Sequence, residues 1–383
     1  MNTQLTGTDE AHLARALELA KRGRGRVSPN PLVGAVVVRD GDVIGEGFHA
    51  ELGDLHAERS ALADCRAKGN DPAGATMYVT LEPCAHQGRQ PPCTEAILAA
   101  GISRVVIASE DPSEKAAGRG PGILRDGGVE VEFAAGEEAT AARLLNQPFR
   151  KHARTGLPLV TLKLAMSLDG RTATAPGDSP WISSEQSRAL VHQWRTESDA
   201  IAVGINTVLA DDPLLTARTP EARQPTRVVF DRRARLPLDS QLLRTLDDSP
   251  VLVVVSPESD ASALRGAGAE ILVADGIEAA LADLGRRGIT SLFLEGGPTL
   301  ANAFQIANQL DEARTFIAPI LLGGDLDASR AGGADAGGSR TEAKPPPAGP
   351  PAVATGPARL APLSHVVEPV GDDVLITARF REW

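Results

Sequence analysis

The chain has 383 residues, which at roughly 100–200 residues per domain is enough for two or three folding units. With 42 % apolar and 23 % charged residues it has the composition of a globular protein, not a disordered one. Thirty-nine Lys and Arg against 50 Asp and Glu leave a formal net charge of −11, which argues against a general binder of nucleic acid or anionic membranes. Eight Phe, 3 Trp and 1 Tyr are too few for a base-stacking platform. No apolar run is long enough to span a membrane, and the first 26 residues contain no apolar signal core, so a cytoplasmic location is expected. Three cysteines, Cys65, Cys84 and Cys93, do not make a disulfide framework; near a His, such cysteines point to metal or catalysis.

In chain order, Leu13, Ala16, Leu17 and Ala20 recur at helical spacing and predict an amphipathic helix over 9–22. Ser28-Pro29-Asn30-Pro31 breaks it. The apolar runs 33–38 and 43–48 flank Arg39-Asp40-Gly41-Asp42 and predict a hairpin. A helix over 56–68, a strand over 76–81, a helix over 93–100 and strands over 104–108 and 129–133 complete a first unit. A junction is expected over 146–158. Beyond it, strands over 159–165, 200–204, 227–230, 251–255, 271–274 and 291–294 alternate with helical stretches such as 184–196, the signature of a second α/β layer fold. Residues 331–358 contain 20 Ala, Gly or Pro and a single large aliphatic, Val353, so they read as a flexible insertion before a last strand over 374–380. The division drawn is 1–147 and 157–383.

The sharpest constellation is His56-Ala57-Glu58 followed by Pro83-Cys84, eight residues, and Cys93. One imidazole and two thiolates suit zinc and leave a fourth tetrahedral position for water. Such water has its pKa lowered to about 7. Glu58, two residues beyond His56 on the first turn of a helix, would miss the metal yet reach the water as a proton shuttle, the arrangement of zinc deaminases. Cys65 reads as a packed core thiol. His86 reads as a polar contact at most and is left off the metal. Arg59, after the Glu, is expected to matter little.

Ser28-Pro29-Asn30-Pro31, Val33-Gly34, His56-Ala57-Glu58 and the string TLEPCAHQGRQPPCTEAI from Thr80 to Ile97 resemble the bifunctional riboflavin-biosynthesis deaminase/reductase family. Asp111-Pro112 and Gly118-Arg119-Gly120 fit the same pattern, and there the eight-residue gap between the cysteines is usual. The resemblance implies a cytidine-deaminase-like three-layer α/β/α domain that deaminates a diamino-pyrimidinone carrying a ribosylamino 5′-phosphate, with zinc on His56, Cys84 and Cys93, and Glu58 catalytic. It further implies that Asn30, His49 and Arg89 help hold that substrate.

In the second unit, Glu295-Gly296-Gly297-Pro298 follows a strand and opens a helix, a turn whose free N–H groups suit a phosphate. It is not the Gly-x-Gly-x-x-Gly fingerprint, so a Rossmann domain is not indicated. Ser183 or Ser184 is the expected N-cap of the helix that follows Trp181. Arg195 and Arg218 have the guanidinium forks that match phosphate oxygens. The order of these motifs resembles the same family's reductase half, which implies a dihydrofolate-reductase-like α/β fold and NADPH. The resemblance gives Ala165, Trp181, Thr207, Asp211 and the turn Gly297, Pro298, Thr299, Leu300, Ala301, Asn302, Ala303 to NADPH. It gives Ser179, Arg195, Leu215, Arg218 and Glu295 to the phosphosugar, whose C1′ receives hydride.

Two other readings fit the residues: a nucleoside or nucleic-acid deaminase with an unrelated partner domain, and a non-catalytic zinc-stabilised ligand-binding protein. The acidic balance and few aromatics count against nucleic acid. A homodimer is the default assembly.

Overall fold

The computed structural model describes residues 7–88, 90–114, 116–172, 181–218, 223–323 and 360–383. The expected insertion 331–358 lies outside the described residues, as do Arg89 and Ser179.

The first unit runs α1 (Gly7–Lys21), β1 (Gly34–Arg39), β2 (Asp42–Phe48), α2 (Ala57–Ala67), β3 (Thr76–Val79), α3 (Cys93–Ala99), β4 (Arg104–Ile107), α4 (Arg119–Asp126), β5 (Glu130–Phe133) and α5 (Glu137–Leu145). Its sheet has the order β2-β1-β3-β4-β5, antiparallel at β1 and parallel from β3 to β5. The hairpin turns where expected, with Asp40 and Gly41 both at positive φ, the conformation a tight two-residue turn demands. Leu13 and Leu17 of α1 and Ala142 of α5 cover one face with Val36, Tyr78 and Val106. Leu62, Ile97 and Leu124, from α2, α3 and α4, cover the other with Val37 and Met77. The result is three layers, α/β/α.

Two glycines of β2 set the seat of α2. A Cβ on Gly45 would lie 2.2 Å from Cys65 Sγ, and one on Gly47 would lie 2.2 Å from Ala61 N. The helix therefore rests on bare backbone, which brings its N-terminal turn down over the sheet. Cys65 is fully buried there as the expected core thiol.

The residues expected as a junction form α6 (Gln147–Thr155), a helix of their own. The second unit runs β6 (Leu159–Ser167), α7 (Glu185–Glu197), β7 (Ala200–Gly204), α8 (Ile205–Asp211), β8 (Thr226–Phe230), α9 (Gln241–Arg244), β9 (Val251–Val255), α10 (Ser262–Gly266), β10 (Glu270–Val273), α11 (Ile277–Arg286), β11 (Ser291–Leu294), α12 (Pro298–Ile306), β12 (Glu312–Ala318), β13 (Ser364–Val370) and β14 (Asp373–Arg379). Its strands form one sheet, β10-β9-β8-β7-β11-β6-β12-β14-β13, parallel from β10 to β12 and antiparallel at the last two. Val251–Val255 is buried along its whole length, as in a parallel sheet covered on both faces. Strands β12 and β13 go beyond the sequence expectation. Charged Glu312 and Arg314 interrupt the apolar pattern of β12, while β13 is an exposed edge strand with Glu368 and Pro369, where Pro is tolerated.

Candidate active sites

His56 is the N-cap of α2, Glu58 lies in that helix's first turn, Cys84 follows β3, and Cys93 opens α3. His56 Nδ1 lies 3.6 Å from Cys84 Sγ and 3.4 Å from Cys93 Sγ, and the three ligand atoms fall within 4.8 Å of one another. Metal bonds of about 2.3 Å to sulfur and 2.0 Å to nitrogen at a tetrahedral angle put N and S about 3.5 Å apart, so the three groups fit a zinc ion. His86 is not part of this triad. Hydrogen bonding from Cys93, with His56 assisting against burial, holds the Cys84 thiol down at about 4. The Cys93 thiol is pushed up, first by its bond to Cys84 and then by burial. Glu58 is 3 % exposed, and burial, ahead of the charge on Cys84, pushes its carboxyl up to about 7.

His56 and Cys84 of the triad line a cavity of about 370 Å³, together with Asn30, His49, Glu58, His86, Asp111 and Phe149. His49 Nδ1 lies 3.1 Å from Leu55 O and carries the proton there, so its Nε2 accepts from Asn30 Nδ2 at 3.1 Å. Burial lowers the pKa of His49 and keeps the ring neutral for that role. The imidazole thus orients the Asn30 amide, leaving its carbonyl oxygen for a ligand.

Other contributors were not visible in the motif. Arg59 was expected to matter little, but it donates to Pro91 O at 3.2 Å and Pro92 O at 2.9 Å, tying α2 to the loop that delivers Cys93. Glu82, 4 % exposed, accepts from Gly118 N at 3.2 Å and Asp111 N at 3.5 Å. Phe149 comes from α6, beyond the expected unit. Each acts on a segment distant in sequence, so local spacing carried no signal for it.

In the second unit, Glu295 at the end of β11 receives both Nε and Nη2 of Arg195, at 2.6 and 2.9 Å, while Nη1 meets Thr216 O at 3.2 Å. The Arg195 fork is therefore engaged by a carboxylate and is not a free phosphate clamp. Lys163 on β6 lies within electrostatic reach of Glu295 and Arg195; it has no hydrogen-bond partner among the described residues, and burial lowers its pKa. Leu215 is buried and adopts φ of 55°, a left-handed conformation that costs a β-carbon residue about 1–3 kcal/mol. Arg218 is exposed, and Ser184 is the N-cap of α7, accepting from Ser187 N.

Gly297 caps α12, with Pro298 in the first turn. A Cβ on Gly296 would press on Leu300 at 3.0 Å, whereas one on Gly297 meets nothing within 4 Å. Gly296 serves packing, and the exposed side of the turn at Gly297, Pro298 and Thr299 is open for a phosphate at a helix N-terminus. Leu300 is buried beneath it, Ala301 and Ala303 are half-buried, and Asn302 is exposed. Trp181 is 58 % exposed with the Arg188 guanidinium 5.0 Å from its ring, Ala165 and Thr207 are half-buried, and Asp211 ends α8 exposed.

A family model described as the cytidine and deoxycytidylate deaminase zinc-binding region matches residues 6–109, and one described as the RibD C-terminal domain matches 158–336. The chain is 42 % identical to the riboflavin biosynthesis protein RibD of Actinobacillus pleuropneumoniae over 341 residues, covering 87 % of this chain and 89 % of that one. It is also 42 % identical to the Escherichia coli RibD over 344 residues, covering 83 % and 89 %. It belongs to the RibD family.

Solved RibD structures agree over nearly the whole chain. Acinetobacter baumannii RibD superposes with a TM-score of 0.80 at 36 % identity, covering 98 % of this chain and 99 % of that one. A Thermotoga maritima diaminohydroxyphosphoribosylaminopyrimidine deaminase/5-amino-6-(5-phosphoribosylamino)uracil reductase superposes with a TM-score of 0.81 at 35 % identity and the same coverage. As a RibD family member the chain pairs a cytidine-deaminase-like α/β/α domain with a dihydrofolate-reductase-like domain. The triad and Glu58 lie inside the zinc-binding region, Lys163, Arg195 and Glu295 lie inside the RibD C-terminal domain, and α6 lies between the two matches. Among the described residues no helix is long and apolar enough to cross a membrane.

Proposed function

We infer that the chain performs two consecutive steps of riboflavin biosynthesis. The first is hydrolytic deamination of 2,5-diamino-6-(5-phosphoribosylamino)pyrimidin-4(3H)-one; the second is NADPH-dependent reduction of the product to 5-amino-6-(5-phosphoribitylamino)uracil. The observation that carries this reading is the buried Glu58 beside a zinc-spaced His-Cys-Cys triad in a cavity, in a chain that also holds the RibD C-terminal domain.

His56, Cys84 and Cys93 would hold a zinc ion, which when bound would act as a Lewis acid that lowers the pKa of water to near neutral. Glu58, buried beside the triad in the same cavity, is placed to exchange protons with that water. It takes a proton from the attacking water and returns it to the departing amine. Asn30, oriented by His49, presents its carbonyl oxygen to the pyrimidine edge, and we assign Arg89 to the same substrate.

Bound NADPH would be the hydride source for C1′ of the ribose, and the protein's part is to bind and orient the two. We assign its phosphates to the Gly297–Ala303 turn and its remaining contacts to Ala165, Trp181, Thr207 and Asp211. Arg195 and Glu295 brace each other at the phosphosugar site, leaving Lys163, which has no hydrogen-bond partner among the described residues, as a donor for a substrate oxygen. Ser179, Leu215 and Arg218 complete that site.

The division into 1–147 and 157–383 stays our reading, with α6 as the strut between. We place the enzyme in the cytoplasm, where its thiols stay reduced, with a small-molecule substrate and no nucleic acid partner, and as a dimer. Glu58→Gln tests the reading: it should keep zinc and the reductase step and lose deamination. Deamination at the wild-type rate in that variant would make the zinc structural.

A further inference from the structure

Arg150 is 1 % exposed, and each of its three guanidinium nitrogens is hydrogen-bonded where the two units meet. Nη1 donates to Ser109 Oγ and Glu110 O, both at 3.0 Å, Nη2 to Glu110 Oε1 at 2.7 Å, and Nε to the main-chain oxygen of Trp383 at 2.5 Å. Burying a guanidinium is costly unless each donor is matched, and a well-packed apolar residue would often hold two layers together as well. What the charge adds is direction. Ser109 and Glu110 lead directly into Asp111, which lines the deaminase cavity, and the residue before Arg150 is Phe149, which lines it too. From the other side, Glu82 of the metal-bearing loop accepts from Asp111 N and Gly118 N. The turn at Asp111 is thus bracketed between the metal loop and α6.

The same helix is tied to the second unit just before β12 and after β14. Lys151 Nζ donates to Asp311 Oδ2 at 2.6 Å, Trp383 Nε1 donates to Asp311 Oδ1 at 3.0 Å, and Trp383 N donates to Gln147 Oε1 at 2.8 Å. Neither matched family region includes this helix.

We propose that Arg150 is a positioning residue for the deaminase: braced through Trp383 on the segment that follows β14 of the second unit, it fixes Ser109–Glu110 and thereby sets Asp111 and Phe149 as the cavity wall facing the substrate. The proposal rests on the reading of the cavity as the deaminase site. It makes the geometry of the first reaction depend on a strut anchored in the second domain.

The test uses the full-length zinc-loaded chain and measures KM and kcat for both steps, with zinc content, in Arg150→Lys, Glu110→Gln and Phe149→Leu. Arg150→Lys keeps the charge but loses the fork, and should raise the deaminase KM roughly ten-fold, the loss of one charge-assisted hydrogen bond. The two milder variants should raise it less, with zinc content and reductase KM held within about two-fold. If Arg150→Lys does not fold, Glu110→Gln and Phe149→Leu decide alone, because Glu110 is half exposed and Leu keeps the cavity wall apolar. Unchanged deaminase KM in folded variants, or a parallel fall of both activities, would leave only a structural role and overturn the proposal. Absence of deamination in the wild-type chain would instead remove the underlying reading, and this one with it.

Discussion

The Ser28 hydroxyl donates to Asp199 Oδ2 across 2.8 Å, tying the loop that carries Asn30 to the start of β7 in the other domain. The same buried carboxylate oxygen collects Thr290 N and Oγ1, both at 2.8 Å, and Ser291 N at 3.1 Å. Asp199→Asn turns a charged acceptor into a neutral one with a surplus donor, and should cost about 1–3 kcal/mol. Ser28→Ala removes one bond and should cost about 1 kcal/mol. Urea unfolding midpoints read both, and an Asp199→Asn midpoint equal to that of the wild type would contradict the account.

Removing a metal ligand should separate the two activities. Cys93→Ser or a chelator should take bound zinc from one equivalent per chain to none and abolish deamination, while reduction of the deaminated intermediate continues. His56 and Cys93 sit at the N-terminal ends of α2 and α3 and Cys84 in the loop after β3, all in the first unit, whereas the Arg195–Glu295 pair belongs to the second. Loss of both activities on chelation would contradict this.

Lys163 exchanges stability for binding. Burial lowers its pKa in the folded chain below the unfolded value near 10.5. At neutral pH the folded state therefore carries a desolvated cation, a penalty that fades as pH rises from the folded pKa toward the unfolded one. Lys163→Met should raise stability at pH 7 by about 1–3 kcal/mol, with a gain that shrinks as pH rises toward 10.5, and should raise the reductase KM for the phosphosugar. A gain that grows with pH would have the wrong sign.

The adjacent glycines of the β11–α12 turn should part company. Gly296→Ala places a Cβ 3.0 Å from Leu300 and should destabilise by about 1–3 kcal/mol. Gly297→Ala adds a Cβ that meets nothing within 4 Å, so it should leave stability within about 0.5 kcal/mol and raise the KM for NADPH roughly ten-fold. Thermal melts and initial rates check the pair; the opposite pattern would move the cofactor turn elsewhere.

Much of the chemistry was legible because its signals are local. His56, Glu58, Cys84 and Cys93 sit on two short segments whose spacing states their ligand set, and the Gly-Gly-Pro turn announces α12. Strands such as Val251–Val255 are apolar throughout and were placed within a residue. What stayed hidden depends on partners far along the chain. Arg150 looks like any helix arginine until Ser109, Glu110 and Trp383 surround it, and Lys163 looks like an ordinary strand lysine until Glu295 and Arg195 lie beside it. Arg195 offered a phosphate fork in sequence, and only the fold showed Glu295 filling it. Edge strand β13 escaped because it buries almost nothing, so no face pattern marks it.

The central claim is that one chain carries both reactions in order. The most direct measurement is incubation of the wild-type enzyme with the diamino-pyrimidinone phosphate, with and without NADPH, followed by mass analysis of the products. The account predicts the deaminated ribosyl compound alone without NADPH, and its ribityl reduction product when NADPH is present. Unaltered substrate in both arms, or a reduced product that still carries the amine, would contradict it.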